Sequence, residues 1–295
     1  HGNSSIIADR LALSTSDYVV TEAGFGSDMG AEKAIHIKTA ASGIPPDCIV
    51  INATVRSMKL HGGGFSSSGG QRPSPDEITK ENVAAVTAGS MTNLARHISN
   101  MKRFGIPVIV SVNRFSTDTE AEVQELLHCA RECEADYAVV FDGHQRGGAG
   151  AAELANAVSA ACQDHLANGR PFEPLFENKM GIVEKMLKIA TMVYGADSID
   201  LQKQAERDLK LIKKWKYGEL AVCMAKTQYS FSHVAHELGA PSGFTLPIRE
   251  LRLNAGAGFV VAVCGSIMTM PGLPKQPAAM EMDMDEDGNF TGAFS

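Results

Sequence analysis

Residues 1 to about 142 alternate short apolar runs with amphipathic helical patterns, and that alternation restricts the fold more than any other feature of the chain. Strands separated by helices are joined by crossovers, so they run parallel and helices cover both faces of the sheet. The apolar runs at 18–21, 48–52, 108–112 and 137–141 read as strands, and 31–40, 82–104 and 119–133 read as helices. The last helix has a clear start, with Asp118 or Thr119 as cap and Glu120 and Glu122 in the first turn, where the helix dipole favours anions. Ligands of such folds bind outside the carboxyl ends of the strands. The loops there are 22–28, 54–64, 113–118 and 142–150.

Beyond Gly150, helical patterns at 151–166, 182–193 and 201–216 lead to strand-like runs at 220–225 and 256–263. The Lys-rich helix at 201–216 presents a solvated face. The acidic end, 281–287, reads as a surface turn and short hairpin with Asp287-Gly288 at its tip. No internal repeat is visible. The expected class is α/β, a parallel sheet with helices on both faces followed by a second α/β domain, with a soft boundary near residue 105.

A net charge of −7 argues against a nucleic-acid partner, because non-specific binding to a phosphate backbone rests on clustered Lys and Arg. No apolar stretch approaches the roughly 20 residues of a membrane span. Six scattered cysteines lie largely in apolar runs and read as reduced core thiols of a cytoplasmic protein. Cys129 and Cys133 share a helix face beside His128, but the paired spacing of structural zinc is missing. The chain opens on His1 without an initiator Met or signal peptide, and is expected to be truncated.

The segment from Val50 to Gly64 turns from an apolar strand into a stretch carrying Arg56, Lys59 and His61 and then Gly62, Gly63 and Gly64. Glycine lets backbone N–H groups converge on an oxyanion, and the two cations supply charge, so an anion-binding loop is one reading. A flexible surface loop, continued by the Gly/Ser tract to Gly70, is the other. Thr21 to Asp28 also follows a strand candidate. Glu22 there can hold Mg²⁺ directly or through water, while Gly24 and Gly26 let the backbone face a terminal phosphate. Alternatively the glycines serve a tight turn, and Asp28 caps the next helix. In the loop after residue 112, the Phe115 ring either stacks on a heterocycle or plugs the local core, and Asn113 reaches a base or caps the loop. Histidines 97, 165, 233 and 236 show no nucleophile–base arrangement, although His233 and His236 could share a helix turn.

The segment ATVRSMKLHGG at 53–63 resembles a signature of the formate–tetrahydrofolate ligase family. Ordered blocks carry the resemblance along the whole chain: His1 to Ser5, Val20 to Asp28, Asn93-Leu94 with His97-Ile98, Asn113 to Phe115 with Thr117 to Glu122, Cys223 to Ser230, and Met268 to Pro274. A Walker-type loop, Gly-x-x-x-x-Gly-Lys followed by Ser or Thr, appears nowhere in the 295 residues. In the resembled family it lies in the amino-terminal half, so the likeness is to the carboxyl-terminal half. The resemblance implies a P-loop NTPase-like but incomplete nucleotide domain over 1–105 and a carboxyl-terminal domain over 106–295 that contributes the folate site.

It further implies that the complete enzyme uses MgATP to convert formate to formyl phosphate, whose formyl group passes to an amine nitrogen of tetrahydrofolate. A monovalent cation is a further candidate cofactor. Glu22 is then assigned to Mg²⁺, Gly24 and Gly26 to the terminal phosphate, Arg56, Lys59, His61, Gly62 and Gly63 to the anion pocket, and Asn113 to the nucleotide base. Phe115 is assigned to the pterin, which the family sandwiches against a tryptophan. His144 stands where that tryptophan is usual, and this departure puts folate affinity in question. Alone, this chain is expected to be inactive; complete, it is expected to be a cytoplasmic homo-oligomer acting on small molecules. Two rivals stand beside this reading: another ATP-dependent carboxylate-activating ligase of the P-loop class, and a non-catalytic fragment serving as a binding module.

Overall fold

Ser5 accepts the Ala8 N–H and so starts the first helix, α1 (Ile6–Leu13), in a computed structural model that describes residues 2–65, 74–267, 277–280, 282–284, 286 and 290–291. The chain continues through α2 (27–42), β1 (Ile49–Ala53), α3 (Val55–His61), α4 (Pro75–Thr79), α5 (83–102), β2 (Val108–Asn113), α6 (Glu120–Glu132), β3 (Tyr137–Phe141), α7 (Gly143–Arg146) and α8 (Gly148–Asn168). It ends the larger unit with α9 (182–194), β4 (Ser198–Leu201), α10 (Lys203–Lys214), β5 (Ala221–Ala225), β6 (Thr245–Asn254) and β7 (Phe259–Cys264). Helix α2 opens on a π-type turn, Ser27–Ala31.

The first sheet runs β1-β2-β3, all parallel, as the alternating pattern requires. Ala53 pairs with Val112 and Asn113 with Phe141, so all three carboxyl ends reach one edge. The middle strand β2 is buried from Val108 to Val112 because each side of its pleat has a cover. Val108, Val110 and Val112 join Ile98 and Met101 of α5 and Val123, Leu126 and Leu127 of α6 in one core, while Ile109 packs with Ala157 and Ala161 of α8. Fully burying one such aliphatic side chain contributes roughly 1.5–3 kcal/mol.

A second sheet has the order β4-β6-β7-β5. Its β4–β6 and β5–β7 pairs are parallel, whereas β6 and β7 run antiparallel. The polypeptide divides into two units, His1–Gly265 and Ser266–Ser295. The smaller carries β8 (Asp283–Met284) and β9 (Phe290–Thr291), which pair antiparallel as the hairpin expected there. Its predicted tip, Asp287-Gly288, lies outside the described residues, as do His1 and the Met268–Pro274 motif. Residue 105 falls between α5 and β2 within the larger unit.

Four expectations need correction. Residues 18–21 are not a strand: Val20 is 88% and Tyr18 48% exposed, and a strand needs a neighbour for its backbone groups. The only bridge there, among the described residues, joins Asn3 to Ala23. Residues 54–64 are not a loop but mainly the helix α3. The helix expected from residue 201 begins at Lys203, because Leu201 belongs to β4. His233 and His236 share no helix turn, since 231–240 is irregular. All six cysteines are free, and burial pushes the thiols of Cys48, Cys129 and Cys264 up to about 12. Among the described residues, no helix is long and apolar enough to cross a membrane.

Candidate active site

At the end of β1 the Thr54 hydroxyl accepts the Ser57 N–H at 3.1 Å, and the Thr54 N–H donates to Ser57 Oγ at 3.3 Å. This capping box turns the chain directly into α3 and places Arg56 in its first turn. Arg56 Nη2 donates to Thr117 Oγ1 at 2.9 Å, and its guanidinium lies 4.3 Å from the centroid of the Phe115 ring. Asp118 shapes that loop. Its Oδ2 accepts the Phe115 N–H at 2.8 Å, and its own N–H donates to the Phe115 carbonyl at 3.0 Å. Burial raises the Asp118 carboxyl above its ordinary value, with the Phe115 N–H and Arg56 acting the other way. Thr119 is the residue that caps α6.

Asn113 sits opposite Phe141 in the register, and the Arg114 N–H donates to the Phe141 carbonyl at 3.0 Å. The Phe115 loop and the His144 loop therefore leave neighbouring strands side by side. His144 is exposed on α7. Gly143 before it rests on the Phe141 ring, where an added Cβ would stand 2.4 Å from Cζ. Arg56, Phe115, Asn113 and His144 thus gather at one sheet edge.

The rest of α3 departs from an anion-binding loop. Lys59 is buried, its ammonium 2.7 Å from Glu122 Oε1 and donating to the Ile78 and Lys80 carbonyls at 3.0 and 2.8 Å. The Gly62, Gly63 and Gly64 amides donate to the Met58, Leu60 and Lys59 carbonyls at 2.8, 3.2 and 2.7 Å. They close the carboxyl end of α3, so they are not available to converge on an oxyanion. Gly62 also serves packing, since an added Cβ would stand 1.9 Å from the Ala85 carbonyl oxygen of α5. His61 is different. Its Nδ1 accepts the Gly239 N–H at 3.1 Å, and burial together with neighbouring His97 pushes its pKa down to about 4, against the opposing pull of Asp28.

Glu22 is exposed and makes no hydrogen bond or ion pair among the described residues. Gly24 and Gly26 are held tightly. The Gly30 N–H donates to the Gly24 carbonyl at 2.8 Å, and an added Cβ on Gly26 would stand 2.6 Å from His97 Cε1. Between them Phe25 takes a φ of +60° and is 73% exposed, a strained position for a bulky residue. Asp28 does not cap α2 as expected. It is buried against Lys226 at 2.5 Å. Burial would raise its carboxyl, but Lys226 and His97 outweigh that and hold it below 3.8. Lys226 is fully buried at the end of β5, also donates to the Thr227 and Ser230 carbonyls, and lies 5.0 Å from the Tyr194 ring centroid.

The family model for formate–tetrahydrofolate ligase matches residues 1–294. The chain belongs to the formate–tetrahydrofolate ligase family. Among curated relatives, the formate–tetrahydrofolate ligase of Paracoccus denitrificans is 47% identical over 294 residues, covering 100% of this chain and 50% of the relative. Those of Symbiobacterium thermophilum and Beijerinckia indica subsp. indica are each 46% identical, again over 100% of this chain, covering 50% and 51% of themselves. The chain spans about half the length of the curated relatives it matches.

For a chain of the formate–tetrahydrofolate ligase family, the residue that held a place in a sequence motif but was assigned no role there is His97. It links the glycine loop at 24–26 to the segment after β5: its ring lies against Gly26, meets the Phe231 ring at 4.6 Å, and has Ser27 Oγ 2.7 Å from its Nδ1. The signal was faint, because Ser27 is 70 positions away and His97 sits mid-helix.

Proposed function

We propose that this chain forms the tetrahydrofolate-binding part and one wall of the nucleotide site of an ATP-dependent formate–tetrahydrofolate ligase, completed by a further portion of similar length. The family match over 1–294 supports this reading, and the Arg56–Phe115 contact at the sheet edge is the observation that carries it to a site. In this reading residues 1–105 belong to the P-loop NTPase-like nucleotide domain, whose phosphate-binding loop lies upstream, and 106–295 contribute the folate site. MgATP phosphorylates formate, and formyl phosphate then delivers its formyl group to tetrahydrofolate.

Each side chain has a physical task. Arg56 and His61 offer donors to the reacting anion, with Gly62 and Gly63 allowing close approach rather than donating. Lys59 acts by fixing α3. Gly24 and Gly26 admit the terminal phosphate, Asn113 meets the base, and Phe115 with His144 flanks the pterin. Glu22 suits Mg²⁺, a cation held by one or two carboxylates together with substrate phosphates and water, and Glu22 is an exposed carboxylate without a protein partner among the described residues. When bound, the ion would neutralise phosphate charge. A monovalent cation, a cytoplasmic setting and a homo-oligomer complete the proposal.

The test is a chimera in which this sequence follows the upstream half of the Paracoccus denitrificans relative. Phe115→Ala should raise the apparent KM for tetrahydrofolate roughly tenfold while that for ATP stays put. An unchanged tetrahydrofolate KM removes the stacking role. The exposed His144 in the second wall favours one rival, a carboxylate-activating ligase that does not use folate. Formate-dependent ADP release that is indifferent to tetrahydrofolate would select it.

A further inference from the structure

Four of the six cysteines are engaged away from other thiols. Cys129 Sγ donates to Glu125 Oε1 at 3.4 Å, and Cys133 Sγ to Met91 Sδ at 3.8 Å. Cys223 and Cys264 are buried in the second sheet, Cys223 opposite Val261 in the register and Cys264 donating to the Ala262 carbonyl at 3.4 Å. Cys48 and Cys162 differ. Cys48 stands immediately before β1 and packs against the cluster of Ile109, Ala157 and Ala161, as Val158 of α8 does. Cys162 follows Ala161 and lies one helical turn beyond Val158, on the stripe of α8 that faces the sheet. Ala157 and Ala161 carry only a methyl group each, so α8 lies close to the sheet there.

The two thiols meet, with Cys48 donating a hydrogen bond to the Cys162 sulfur. Both residues are half-buried rather than sealed, which lets a small solute approach. Their hydrogen bond makes the pair unequal. Burial, then Cys162, Asp136 and Asp47, push the Cys48 thiol up to about 12. Burial and Asp47 raise Cys162 as well, but the hydrogen bond from Cys48 pulls it back. A thiolate therefore forms first at Cys162, with a protonated Cys48 beside it.

We infer that Cys48 and Cys162 form a modification site, oxidised by a hydroperoxide to an intramolecular disulfide that ties β1 to α8 and that a dithiol reverses. The Cys162 thiolate, its proton released to solvent, attacks one peroxide oxygen; an S–O bond forms, the O–O bond breaks, and the leaving hydroxide takes up a proton as water. The Cys48 sulfur then displaces hydroxide from the Cys162 sulfenic acid. An S–S bond replaces the S–O bond, and the Cys48 proton leaves with that hydroxide as a second water. Two thiols lose two electrons, and one peroxide becomes two waters. The pair lies at the amino end of β1, whereas Thr54 and Arg56 follow its carboxyl end, so the inference stands apart from the ligase reading.

The test uses the reduced 295-residue chain, exposed to hydrogen peroxide, alkylated at its remaining thiols and mapped by peptide mass spectrometry. The expected product is one Cys48–Cys162 link within a single chain, with the other four cysteines alkylated, and a dithiol reductant should restore both thiols. Cys48→Ser should stop at a Cys162 sulfenic acid, trapped by a cyclic diketone. Cys162→Ser should give roughly tenfold less trapped sulfenic acid, at Cys48. Peroxide should raise the urea midpoint of the parent chain and of neither variant, since only the parent closes the long loop. Preferential linkage of any other cysteine pair overturns the inference. So does a parent chain that keeps its native circular dichroism and yet ends as sulfenic acids without the link. Equal trapping at Cys48 and Cys162 overturns the assigned order of attack.

Discussion

The Arg56 guanidinium lies over the Phe115 ring at 4.3 Å, so one face of that ring is already occupied by a cation from a different strand end. A flat ligand can therefore stack only on the other face. The pair also ties α3 to the loop after β2, through Thr117 as well as through the ring. Such a contact at a half-buried site is worth about 0.5–2 kcal/mol. A double-mutant cycle of Arg56→Met and Phe115→Leu, followed by urea unfolding of the chain, should give a coupling in that range. A coupling of zero would mean that the two side chains share space without interacting.

Helix α3 crosses α5 at backbone contact. An added Cβ on Gly62 would stand 1.9 Å from the Ala85 carbonyl oxygen, and one on Gly89 would stand 2.0 Å from the Met58 carbonyl oxygen. Either Gly62→Ala or Gly89→Ala must push the helices apart, at a cost of about 1–3 kcal/mol. Differential scanning calorimetry should show a lowered Tm for both. Gly63→Ala strains the backbone instead, since Gly63 has a φ of +73° and open space where a Cβ would go.

Lys59 answers to Glu122 and two carbonyls in the interior. Lys59→Met leaves a buried carboxylate without its cation and should destabilise the chain by about 3–5 kcal/mol. Adding Glu122→Leu should return part of that, because no unpaired charge then remains. Denaturant midpoints of the single and double variants check this, and a double variant less stable than Lys59→Met refutes it.

Acid should unfold the chain through three buried carboxylates. Burial opposes ionisation of Asp28, Glu32 and Glu122, yet Lys226 with His97, Lys33 with His36, and Lys59 respectively hold their pKa values below 3.8, 4.5 and 4.5. A carboxyl depressed on folding contributes stability that is complete above its unfolded value and is lost as pH falls through its folded value. Urea midpoints should thus begin to fall below about pH 6.5, where unfolding lets the depressed His61 and His97 take up protons, and fall more steeply below about pH 4.5 as the carboxylate contributions are lost. A midpoint unchanged down to pH 3 would show that these pairs add nothing.

What the sequence disclosed was whatever short-range pattern alone determines. The run Val108 to Val112 announces a strand covered on both faces, and Thr119 with Glu122 announces a helix start. Helix α3 was hidden because the glycines after it draw the eye, although Thr54 and Ser57 already spelled its cap. Strand β6 was hidden by Pro247 and by Arg249, Glu250 and Arg252 within an alternating pattern, and β4 by its brevity. In the site, Arg56 and Phe115 were each legible as strand-end residues, but their contact spans two loops. His97 depends on Ser27 and Gly26, far away in sequence, and no local period encodes that.

The Asp28–Lys226 pair joins positions 198 residues apart. During synthesis the aspartate leaves the ribosome long before its lysine exists, and until then a carboxylate destined for the interior has no counter-ion. The glycine loop beside it consequently acquires its final shape late, when β5 arrives, and the segment around Asp28 must wait in a half-made state that chaperones and proteases can reach.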